Sequence, residues 1–153
     1  MLADLARRSA LHALDRAEAL LTWGAEAGLL DRRLAPDGLP FSDQIGLVAS
    51  FARRAVLPLH DATPGPLDIP SDAPALAVLL AAARREVGAS DGPCPERIRH
   101  RAGVADLDQA PEDYLATFAL PNLWFHLAAA HAILRANDVP VGKADFDGRH
   151  AYA

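Results

Sequence analysis

A single cysteine stands among the 153 residues. One thiol makes no internal disulfide and no cysteine-based zinc site. Cys94 lies between Pro93 and Pro95, and a reactive thiol there would need a neighbour that lowers its pKa; only Arg97 and Arg99 are close in sequence. Aromatic residues are also scarce, at 6%. Ala and Leu dominate the 51% hydrophobic fraction, and that mixture favours helices over sheets. Basic charge is in deficit: 15 Lys and Arg face 20 Asp and Glu, for a net charge of −5. The pairs Arg7–Arg8, Arg53–Arg54 and Arg84–Arg85 are scattered and read as solvated helix faces, which argues against a nucleic-acid partner. No secretory signal pattern is visible, because Asp4 comes early and Arg7–Arg8 interrupt the first apolar run. Only Leu115–Leu134 approaches the roughly 18 apolar residues of a membrane span. It contains Pro121, Asn122, His126 and His131, so it reads as buried in protein rather than lipid. The expectation is a cytoplasmic chain with neither membrane nor nucleic-acid partner.

What the sequence does hold is helical periodicity. Leu11, Leu14, Ala17 and Leu21 step by three and four, with Leu5 and Ala10 extending the stripe, and predict a first helix over about 2–28. Pro36-Asp37-Gly38 marks a turn, with Asp37 able to cap it. A second helix opens near Phe41 or Ser42, where Ser42 can cap, and ends at Pro58; Ile45, Val48, Ala49, Ala52 and Val56 form its inner stripe. A proline-rich crossover loop follows to Pro74. A third helix spans about 74–87, with Leu76, Leu79, Leu80 and Ala83 inward. Residues 96–107 suit a short hairpin bent at Gly103, and two helical turns would fit nearly as well. The last helix opens with Pro111, Glu112 and Asp113 and ends near Asn137–Asp138, with a kink expected at Pro121. It is apolar almost all round, and so predicts a rod wrapped by the other three. The tail, 139–153, folds back through Val139, Val141 and Phe146. The fold class is all-α: one four-helix-bundle domain over 1–153, with long crossover loops.

Two segments, RLAPDGLPFSDQIGLVASFARRA (Arg33–Ala55) and YLATFALPNLWFHLAAAHAILRANDVPVGKADF (Tyr114–Phe146), carry a resemblance. The pieces RLAPDxxP, FALPNxxFH, AILR and VPxGKxDF cover over a third of the chain in matching order and spacing. They resemble a bacterial domain-of-unknown-function family, the one numbered nineteen ninety-three. The resemblance implies a DinB/YfiT-like four-helix bundle. Many relatives in that superfamily bind a divalent metal through three histidines, one near the start of helix two and a His-x-x-x-His pair on helix four. Some transfer low-molecular-weight thiols or act as hydrolases or isomerases. Here helix two opens with Phe41, Ser42 and Asp43, and Ala130 lies four residues after His126. His131 is five residues on, about 140° away around the axis. The metal triad is not present in its usual form.

Asn122 and His126 lie one turn apart on a stripe with Leu115, Ala119, Ala129 and Ile133. They could hydrogen-bond each other and anchor the kinked backbone after Pro121. Alternatively they form the floor of a small-ligand pocket, with His12 at its rim. No complete metal site and no cofactor is predicted. His126, His12 and His60 are the histidines that could lend a ligand to a divalent zinc or nickel ion, His60 beside Asp61 resembling a supporting pair. His131 shares a second stripe with Leu120, Trp124, Leu127 and Leu134, which suits a dimer interface. His100 and His150 read as exposed. Arg33 could pair with Asp145, and Lys143 and Asp145 could tie the tail down. No nucleophile–base arrangement or phosphate loop is evident. The expected function is therefore a homodimeric, small-ligand-binding or structural bundle. The alternative is a metal-dependent thiol transferase or hydrolase with its site near His126.

Overall fold

Small residues set the spacing of the first two helices. In the computed structural model, which describes residues 1–152, α1 runs Leu2–Glu26 and buries Ala6, Ala10, Ala13 and Ala17 along one face. Near its end, a Cβ on Gly24 would strike the Phe41 ring, so the glycine admits the start of α2. Gly28, at φ +68, takes the left-handed conformation that ends the helix. The inner stripe is centred one residue away from the expected one, and Leu5 is half exposed.

The second helix, α2 (Phe41–Val56), is the one surrounded on nearly all sides. Only Asp43, Leu47, Ser50 and Arg54 escape burial along its length. It packs against α1, α3 (Ala73–Ala89) and α5 (Leu120–Ala136). The expected N-cap role of Ser42 does not arise, because Pro40 takes that position and Ser42 is buried inside the helix. A 3₁₀ turn, Leu57–His60, continues past the expected stop at Pro58 to Asp61 in a left-handed conformation. The proline-rich loop then lies back along α2: a Cβ on Gly46 would collide with Ile69. Arg53 fixes this loop. Its buried guanidinium pairs with Glu86 of α3 at 2.9 Å and donates to the Gly65 carbonyl at 2.9 Å. α3 itself is capped by Asp72, which accepts from the Ala75 amide.

Residues 98–109 form the hairpin rather than helical turns. β1 (Ile98–Ala102) and β2 (Ala105–Gln109) pair antiparallel around Gly103, at φ +61. The fold is thus mostly helical with a small two-stranded sheet, not wholly α. The last rod begins as α4 (Pro111–Tyr114), widens into a π-helical stretch at Leu115–Ala119 and continues as α5. Pro121 explains the widening. It has no amide hydrogen, and its ring would clash with the carbonyl four residues back in an ordinary helix. In the π register the Leu120 amide reaches back to the Leu115 carbonyl.

The last rod is not wrapped on every side. α5 packs mainly on α2 and α1, and it leaves Pro121, Phe125 and Ala128 exposed, Phe125 at 64%. Alanine loses little free energy by facing water, so an Ala-rich helix can look apolar all round and still form an outer wall. The tail turns at Asp138 (φ 62), buries Val141 and forms α6 (Lys143–Asp147) against the bundle. Asp145 caps α6 by accepting from the Gly142 amide at 2.7 Å. It does not meet Arg33, which instead donates to Gly38 in its own turn. The expected tail extends to Ala153, which lies outside the described residues. No helix among the described residues is long and apolar enough to cross a membrane.

Arg53→Ala should cost about 1.5–3 kcal/mol, because it removes the charge-assisted hydrogen bonds that join α2, α3 and the loop, while the half-exposed Glu86 is left to water. Urea denaturation checks this; a loss no larger than that of an exposed arginine would contradict it.

Candidate functional site

His126 and Asn122 share a face of α5 but do not bond each other. The Asn122 side-chain amide donates to the Phe118 carbonyl in the π stretch at 2.7 Å. Asn122 thus secures the widened turn. His126 points inward, 8% exposed, and its Nδ1 lies 2.8 Å from Oε1 of Gln44 on α2. With that oxygen accepting, the ring donates from Nδ1. The ring also stacks on Phe51, with centroids 5.4 Å apart. Burial pushes the His126 pKa below its ordinary value.

The stack continues beyond His126. The Arg54 guanidinium sits over the Phe51 ring at 4.9 Å and over the Phe118 ring at 4.8 Å. Phe118, carried by the π stretch, packs on His100 of β1 at 4.3 Å. Tyr114 packs edge-on to the same imidazole and donates its hydroxyl to the Arg54 carbonyl at 2.7 Å. Burial of Tyr114 pushes its pKa up to about 12. His100, read from sequence as exposed, is half buried: Nε2 donates to Gln109 at 2.7 Å, while its buried Nδ1 has no protein partner.

The other histidines are tied elsewhere. His12 donates to the Asp147 carbonyl of α6 at 2.8 Å and lies against Trp124. His60 accepts from Arg7 and donates to the Gly92 carbonyl at 3.0 Å. His131 donates to the Gly142 carbonyl at 2.8 Å and packs on Phe146, so it fastens the tail. His150, exposed, pairs with Asp147. Cys94 is exposed in its loop, and burial and Glu112 raise its pKa, the reverse of activation.

The three-histidine metal implied by the family resemblance can now be tested against these residues. His126 Nδ1 is engaged by Gln44, Ala130 stands one turn on, and Phe41 is packed in the core against Gly24. Among the described residues no three His, Cys, Asp or Glu side chains are grouped to hold a metal ion. The residues do not fit that metal.

Gln44, Arg54 and Tyr114 were missed from the sequence. Gln44 carried a signal: it lies one turn before Val48 on the predicted buried stripe, where a polar residue demands a partner. Arg54 and Tyr114 carried none that composition or spacing could reveal.

The fold is that of the DinB family. A crystal structure of a DinB family member from Shewanella denitrificans superposes with a TM-score of 0.80 at 23% identity, covering 100% of this chain and 95% of that one. Residues 3–147 match the model of the family described as Domain of unknown function (DUF1993), and the chain belongs to that family. No curated protein matches the sequence.

A histidine whose folded pKa lies below 6.5 contributes stability that is complete above that value and is lost as pH falls through the folded pKa. The melting temperature should therefore fall from about pH 7 to about pH 5. His126→Gln should melt lower at neutral pH but show a shallower acid slope. An unchanged slope in the variant would contradict the buried neutral ring.

Proposed function

We propose that this chain is a four-helix-bundle protein that binds a small ligand and self-associates, without the three-histidine metal of its DinB-like relatives. The observation that supports this reading is the Gln44–His126 hydrogen bond. It joins the two helices that would supply metal ligands and occupies Nδ1 of the one histidine retained there, and among the described residues no three His, Cys, Asp or Glu side chains are grouped to hold an ion. Two buried helices held by a direct amide–imidazole bond need no ion between them. Self-association is supported by the outer face of α5. From Leu120 to Leu134 the helix carries no Asp, Glu, Lys or Arg, and Pro121, Phe125 and Ala128 are exposed on it. Two copies can appose that face without like-charge repulsion.

Untagged protein should contain far less than one equivalent of zinc, nickel, manganese or iron. It should sediment as a dimer that Phe125→Glu converts to monomer. A stoichiometric metal lost in a folded His126→Ala variant would instead support a metal-dependent thiol transferase or hydrolase. A wild-type monomer at high concentration would remove the self-association.

A further inference from the structure

About ten residues along α2 from Gln44, or roughly 15 Å by helical rise, a separate cleft of about 310 Å³ opens between the end of α2, the proline-rich loop and β1. One wall is apolar, built from Pro58, Pro64, Pro66 and Leu67. The other carries Arg54, Arg99, His100 and Arg101, with Tyr114 beside them, and no carboxylate lines the cleft. In a chain of net charge −5 this is a local reversal of sign.

The three guanidinium groups are not equivalent. Arg99 pairs with Asp108 and Arg101 with Asp106, each at 3.3 Å on the exposed hairpin. Arg54 has no carboxylate partner among the described residues. It donates to the Arg101 carbonyl at 2.6 Å, and its guanidinium carbon sits 4.9 Å from the Phe51 ring centroid and 4.8 Å from that of Phe118. A guanidinium fixed in orientation, with donors left over, matches a planar carboxylate.

We propose that this cleft binds a small organic carboxylate with an apolar body, its head on Arg54 and its body against Leu67 and the prolines. One unpaired cation beside an apolar wall suits a monoanion with a hydrocarbon part better than a phosphate dianion. The cleft volume is at the lower end of small-molecule sites. The inference deepens the ligand-binding reading above, and it is independent of whether a metal sits at His126.

The test uses hexanoate, hexylammonium and inorganic phosphate as probes, followed by amide NMR shifts and melting temperature. Hexanoate should shift the amides of Arg101, Ala102 and Tyr114 and raise the melting temperature. Hexylammonium should do neither, and phosphate should bind at least about tenfold more weakly. Arg54→Met should weaken hexanoate by about tenfold or more, the worth of a charge-assisted hydrogen bond. Leu67→Glu, on the partly exposed wall, should abolish binding and serves if Arg54→Met fails to fold. Phosphate binding as tightly as hexanoate overturns the carboxylate assignment. Hexanoate binding unaltered by either variant overturns this cleft while leaving ligand binding elsewhere intact. No hexanoate binding at millimolar concentration also overturns it, and the metal-free bundle then stands on its own metal and sedimentation tests.

Discussion

The hydrogen bond between Gln44 and His126 is the constraint on which the rest of the site depends. Both groups are buried on facing helices, and among the described residues neither has another side-chain hydrogen-bond partner. A buried imidazole and a buried carboxamide are each costly alone and tolerable together. Their bond therefore sets the register of α5 on α2. It also engages the ring nitrogen that aims at α2.

From that bond a continuous layer of rings runs toward the hairpin. His126 stacks on Phe51, Arg54 bridges Phe51 and Phe118, and Phe118 meets His100 and Tyr114. Pro121 makes the layer possible. It forces the wider π turn, and that turn carries Phe118 in the layer. Asn122 then bonds back to the Phe118 carbonyl within that stretch. A single missing amide hydrogen in the last helix thus bears on both the polar pair and the cleft beside β1.

Much of the helical fold was legible in the sequence. The inner stripe of α2 was read residue by residue, because Ile45, Val48 and Val56 at helical spacing, with Ala49 and Ala52 between them, have one burial that satisfies them all. The hairpin at Gly103 and the return of the tail through Val141 were legible from turn chemistry and isolated apolar residues. The central helix was misjudged because alanine marks helix formation well and burial poorly. The candidate site was only half legible. His126 stood out as a polar residue on a greasy stripe, but its partner is 82 residues away. Local spacing suggested Asn122 instead, and the π stretch, which local spacing does not announce, gave Asn122 a nearer carbonyl. His100 was read as exposed because its strand neighbours are arginines, yet in a strand alternate residues face opposite ways.

With Nδ1–H of His126 donated to Gln44, Nε2 is left bare, which is the form a histidine ligand takes, so the metal-free reading comes down to whether that nitrogen holds an ion. Nitrogen-15 NMR of the histidine side chains at neutral pH measures this directly. The account predicts a protonated Nδ1 with a hydrogen-bond coupling to Gln44, and a bare Nε2, unchanged by chelator. A protonated Nε2, or a ring resonance that moves when chelator is added, would contradict it.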